Sequence, residues 1–225
     1  MLVQPGAGTS RLGFQNPPRN PELSSQTTNR RQLLIGLAAL GGCTGAPLVT
    51  PAVPAGAAGD ELRMLVFRGG TAARLGHNHV LRAGDLRVEW PAAGPVLRFR
   101  LDALIVDPLA LRERLGPAFA SAVDDEARAG TRTNLLKALD AATYPEVVVR
   151  TLQQLGEGGR RAVEAEITLH GVTRRQWFVA EVDGRRARGE VVVRQSDFAV
   201  QPFTVLGGLL AVQDALVVQF ELLQP

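Results

Sequence analysis

Val163–Phe198 reads VEAEITLHGVTRRQWFVAEVDGRRARGEVVVRQSDF, and its alternation decides the fold. Val163, Ala165, Ile167 and Leu169 fall on one side of an extended chain, and Glu164, Glu166, Thr168 and His170 on the other. A period of two with one dry and one wet side marks a half-buried strand. His170-Gly171 interrupts the run, and Val172, Phe178, Ala180 and Val182 resume it. Asp183-Gly184 supplies a second reversal, since Asp-Gly accepts the positive backbone angles of a two-residue hairpin. Residues 190–195 return as a third strand. Such a meander leaves two bare edges, so its flanks must supply further strands.

They do. Leu62, Met64 and Val66 start a first strand ended by Gly69-Gly70, and residues 71–81 form a strand carrying His77 and His79. Leu86, Val88 and Trp90 alternate with Arg87 and Glu89. After the Pro91–Pro95 loop, Leu97, Phe99, Leu101, Ala103 and Ile105 alternate with Arg98, Arg100 and Asp102. Residues 108–142 lack strand character. Leu109, Arg112, Leu115, Leu135, Leu136 and Leu139 recur at helical spacing, and Gly116-Pro117 and Gly130 cut the segment into two or three short helices. Thr133 is placed to cap the last, over 133–141. Tyr144-Pro145 stops it, because a residue before proline is pushed toward extended geometry. In the last strand Val212, Leu216, Val218, Phe220 and Leu222 share a face opposite Gln213, Gln219 and Glu221. The sum is an all-β, closed antiparallel barrel of about eight strands with short helices inserted, the size that encloses one small ligand.

The 225 residues carry a formal net charge of +3, but residues 1–42 hold four arginines against one glutamate. The remainder balances 21 basic against 21 acidic side chains, so the footprint of a nucleic-acid binder is missing. Asn29-Arg30-Arg31-Gln32-Leu33-Leu34 has the form of a twin-arginine export signal, followed by the short apolar run Leu33–Leu40, far below the ~20 residues of a membrane span. Leu40-Gly41-Gly42-Cys43 has the form of a lipobox. Cys43, the chain's single cysteine, then carries a lipid anchor that ties the exported protein to the membrane. The rival is cleavage near Val53-Pro54-Ala55, which frees the protein into the periplasm. The expected organisation is an export signal over 1–42, a Pro/Ala/Gly-rich tether over 43–59 and a barrel over 60–225.

"ITLHGVTRRQWF", "VVVRQSDFAV" and "LLAVQDALVVQFEL" together resemble the YceI-like family. "LGHNHVLRAGDLRVEW" is similar to its opening histidine-bearing strands and "TNLLKALDAATYPEVVVRT" to its helix-to-strand segment. The resemblance runs from about Leu62 to Leu223. It implies a lipocalin-like barrel that binds polyisoprenoids or other amphiphilic lipids, with such a lipid as its ligand and no cofactor. The His-Asn-His cluster is denser than the family's single opening histidine, and many members lack a lipobox.

His77-Asn78-His79 is the sharpest local feature. Two imidazoles two apart on a strand share a face and can meet one metal ion, with His170 as a third ligand. A cupin would want a glutamate four or five residues on, where Ala83 and Gly84 stand. The other reading has the pair lining the barrel mouth. His170 either contacts ligand or tolerates a turn. Tyr144 either anchors the helix–strand corner or touches ligand. Arg194, between valines and Gln195, holds an anionic headgroup or pairs with Asp197 or Glu190. Phe99 and Phe198 complete the ligand-binding candidates. Enzyme signatures are thin: the serines lack a Gly-x-Ser-x-Gly setting, and Gly156-Glu157-Gly158-Gly159 lies between strands rather than opening a helix. A non-enzymatic carrier needs little polar chemistry. At roughly 0.8 kcal/mol per buried methylene, an isoprenoid tail has affinity to spare. The sequence leaves oligomeric state open, a dimer included. The alternatives are a divalent-metal protein using His77 and His79, and a partner-binding barrel with a filled core.

Overall fold

Alternating aliphatic residues build most of the elements that follow. The computed structural model describes residues 59–225. The Arg30-Arg31 signal, the lipobox at Cys43 and nearly all of the tether lie outside the described residues. The chain runs β1 (Glu61–Val66), β2 (Arg68–Gly69), β3 (His79–Ala83), β4 (Arg87–Glu89), β5 (Val96–Arg100) and β6 (Leu104–Val106). The helices α1 (Leu109–Arg114) and α2 (Asp125–Ala138) follow. Then come β7 (Glu146–Leu155), β8 (Arg160–Leu169), β9 (Val172–Asp183), β10 (Arg186–Arg194), β11 (Thr204–Val205), β12 (Leu210–Val212) and β13 (Ala215–Leu223).

Ten strands, rather than about eight, form one antiparallel sheet in the order β4-β5-β7-β8-β9-β10-β13-β1-β3-β6, and β11-β12-β2 make a small second sheet. The large sheet curls until its paired path, which leaves from β5 through β7, comes back at β6. These two strands are successive parts of one segment, joined by a 3-10 turn at Leu101–Ala103. No ladder joins β4 to β6 among the described residues. The turn also resets the alternation read from the sequence. Leu97, Phe99 and Leu101 are buried, but beyond it Leu104 and Val106 are buried and Ile105 is 38% exposed. An extra half-step of helix inverts the parity of everything after it.

The meander follows its sequence. Val163, Ala165 and Ile167 are buried on β8, which pairs with β9 from Arg160↔Glu181 to Leu169↔Val172. Both loop residues between them, His170 (φ 52) and Gly171 (φ 73), adopt the left-handed conformation that a two-residue hairpin of this hand requires. In the next hairpin Asp183 is still paired, with Arg186, and Gly184-Arg185 forms the loop.

Two cores result. The larger lines the inner face of the sheet, and the smaller lies outside it, where Leu111, Leu115 and Phe119 cover Leu65, Val80 and Val217. The outer face of β13 is therefore not simply wet: Gln219 is 1% exposed, accepts from Arg63 Nε (2.8 Å) and donates to Glu190 Oε2 (2.9 Å). In the helical segment Asp124, not Thr133, provides the cap: its carboxylate accepts from Ala127 N at 2.8 Å. Helix α2 continues through Gly130, and Thr133 lies inside it with its hydroxyl bonded to Ala129 O (3.0 Å).

Candidate functional site

The inner face does not pack solid. It surrounds a cavity of about 470 Å³, within the range of roughly 300–1,000 Å³ usual for small-molecule pockets. Its wall is the dry side of the strands: Leu62 and Met64 on β1, Leu97 and Phe99 on β5, Val163, Ala165 and Ile167 on β8, and Val218, Phe220 and Leu222 on β13. Gly189 makes room for part of that wall, because a Cβ there would come within 2.6 Å of Phe220 Cζ. The Phe220 ring meets Phe178 edge-on at 5.7 Å.

The two ends differ. At one, α2 turns Leu135, Ala138 and Leu139 toward the cavity, joined by Thr131 and Asn134. It is tied down by Arg132, whose guanidinium donates to Leu104 O (2.6 Å) and to Asp102 O. At the other end lie the loop from Trp90 to Pro95, the β7–β8 and β9–β10 hairpins and the end of β13. There the lining residues Pro91, Ala92, Gln154, Arg185 and Gln224 are exposed, so the cavity meets solvent.

His79 lies on the cavity wall, bound to a buried charge network. Its Nδ1 donates to Asp107 Oδ2 at 2.7 Å, while Asp107 Oδ1 accepts from Val80 N (2.9 Å) and Arg112 Nη1 (2.6 Å). Burial pushes the Asp107 carboxyl up. The hydrogen bonds from His79 and the Val80 amide, the His79 charge and the Arg112 guanidinium outweigh it and hold the carboxyl below its ordinary value. Asp107 is thus an acceptor only, so the His79 proton belongs on Nδ1 and Nε2 is the ring's remaining polar atom. Arg112 also reaches Asn78 O (2.9 Å) and Ser121 O (2.8 Å), fastening the loop before β3 to the segment before α2.

The structure divides the residues singled out from sequence. His79 and Phe99 line the cavity; the other five lie off its wall. His77 is not on the strand with His79, because a 3-10 turn at Ala73–Leu75 and Gly76 intervene and β3 begins only at His79. The shared-face premise for metal binding is thereby corrected. The rings meet edge-on at 6.3 Å, and among the described residues no group of three or more His, Cys, Asp or Glu is placed to hold an ion. Tyr144 packs edge-on against His170 (5.2 Å) above Gly171, and His170 Nδ1 donates to Phe198 O (3.1 Å), so the three form a corner at the closed end. Phe198 is 2% exposed in the main core. Arg194 points outward and makes no ion pair with Asp197 or Glu190. Its charge instead adds to the Ser196 hydrogen bonds that hold the Asp214 carboxyl below its usual range.

Residues 120–223 match the model of the YceI-like domain. That segment is similar to a YceI-like domain. The matched span takes in α2 and β7–β13 and four of the five resembling motifs; the His-Asn-His segment and Asp107 precede it, next to β3 and β6 of the same sheet. Among solved structures, BcnA of Burkholderia cenocepacia is similar over 72% of this chain and 94% of its own, at 12% identity and a TM-score of 0.47. The YceI protein of Campylobacter jejuni is similar over 64% and 84%, at 12% identity and a TM-score of 0.42. No curated protein matches the sequence significantly. Sequence reading passed over Arg161 and Asp107. Arg161 was within reach, since the alternation that turns Val163 inward turns Arg161 inward too.

Proposed function

We propose that the protein binds or carries a polyisoprenoid or similar long-chain amphiphile in the barrel cavity and catalyses no reaction. The observation that carries this reading is the hollow itself, an apolar wall around about 470 Å³ with a helix across one end. Each methylene buried there gains roughly 0.8 kcal/mol, so a tail needs no polar recognition to be held. The Arg30-Arg31 signal and the lipobox support export to the periplasm, with Cys43 as membrane anchor. Delivery of a membrane-derived lipid suits a barrel held near its source.

The test is extraction of lipids from purified protein followed by mass spectrometry, beside an Ala165→Phe variant. Ala165 is fully buried on the cavity wall, so a phenyl ring there occupies the lumen. An isoprenoid or other long-chain amphiphile recovered from wild type and depleted from the variant is the expected result. Recovery of none from wild type, or equal recovery from a folded variant, overturns the reading.

A further inference from the structure

The cavity is lined by three arginines, Arg161, Arg185 and Arg186, and by no aspartate or glutamate. The three arginines gather at the open end. Arg186 is occupied by an ion pair with Glu221 on the outer face. Arg161 and Arg185 take part in no ion pair among the described residues.

Arg161 is the more telling. Two residues before Val163 on β8, it stands on the inward face and pairs with Ala180, which also lines the cavity. Its Nε is buried without a hydrogen-bond partner. A guanidinium cannot shed its charge to escape such a position, because it stays protonated under all ordinary conditions. An unmet donor on a cation at the edge of an apolar space is costly unless something supplies an acceptor. Arg185, in the β9–β10 loop, is fixed at the same end by donating Nε to Gln224 O at 2.7 Å, while Gln224 N donates back to Arg185 O at 2.7 Å. Two guanidiniums at the mouth of an apolar tube offer forked donors matched to an oxyanion.

We infer that the cavity selects amphiphiles with an anionic headgroup, a phosphate or carboxylate held by Arg161 and Arg185, the tail running toward α2. This rests on the lipid-binding reading and adds the headgroup class. The exposed mouth explains how a charged group enters: the head stays at the solvent edge while only the tail is desolvated. A phosphate and a carboxylate share the recognising chemistry, so both are probed.

The experiment is calorimetric titration of delipidated protein with geranylgeraniol, geranylgeranyl phosphate and palmitate, for wild type and an Arg161→Gln/Arg185→Gln variant whose fold is checked by near-ultraviolet circular dichroism. Wild type is expected to bind the phosphate ester at least tenfold more tightly than the alcohol, with the preference weakening as salt rises. The double variant keeps its affinity for the alcohol and loses the preference. If the phosphate outranks palmitate, the head is a phosphate; if palmitate equals it, any oxyanion suffices. Equal binding of alcohol and phosphate by wild type, or a preference unchanged in the variant, overturns the headgroup assignment alone. Failure of all three ligands to bind overturns the lipid reading beneath it.

Discussion

Replacing Asp107 by Asn puts a number on the charge network behind His79. The substitution is chosen for its backbone: Asp107 has φ 50, and asparagine tolerates that left-handed conformation where alanine would add strain of its own. Asp107 is 1% exposed and Arg112 5%, so the amide leaves a buried guanidinium without its counter-charge. Breaking a buried ion pair from one side costs about 3–5 kcal/mol. The amide oxygen can still accept from Val80 N or Arg112, which favours the lower end. A loss of about 3 kcal/mol lowers the melting temperature by roughly 6–12 °C for a domain of this size. Urea unfolding at neutral pH, with an unchanged m value, reads it. The pH dependence has a definite sign. The Asp107 carboxyl lies below its ordinary value in the folded protein, so its contribution is present above the unfolded value of about 4 and drains away as pH falls through the folded one. The gap between wild type and Asp107→Asn should therefore narrow below about pH 4. A loss under about 1 kcal/mol at pH 7, or a gap that does not narrow in acid, refutes the buried network.

Two further substitutions address backbone positions. Gly130 lies inside α2 with nothing within 4 Å of where a Cβ would stand, so Gly130→Ala should stabilise by about 1 kcal/mol, read as a rise in melting temperature. Gly171 has φ 73, and an added Cβ would come within 2.5 Å of Tyr144 Cε1. Gly171→Ala should cost about 2–3 kcal/mol from left-handed strain and displacement of that ring, whereas His170→Asn, which suits the same turn but gives up the Phe198 hydrogen bond and the Tyr144 ring contact, should cost about 1–2 kcal/mol.

Much of the fold was legible because a strand writes its two faces into alternate letters. Val163, Ala165 and Ile167 could be placed without knowing their partners, and so could the reversal at His170-Gly171. What failed was parity across short irregular turns. The 3-10 turn at Leu101–Ala103 exchanged Ile105 for Leu104, and the one at Ala73–Leu75 took His77 off the strand. No local pattern announces either. Of the residues singled out, His79 and Phe99 reach the cavity wall because they lie on regular strands. Asp107 and Arg112 were not linked to His79, because their meeting depends on the antiparallel pairing of β3 with β6 and on α1 folding back. Arg161 was passed over because an arginine at the start of a strand reads as solvated, although the alternation through Val163 places it on the inner face.

Trp90 offers the most direct test that the barrel takes a long-chain ligand into its hollow. It lines the open end, whereas Trp177, the other tryptophan, is 47% exposed on the outer face. In a Trp177→Phe background, titrating delipidated protein with geranylgeranyl phosphate should shift Trp90 emission to the blue, saturating at one ligand per chain. Emission that never saturates, or that changes only when Trp177 is the reporter, contradicts the account.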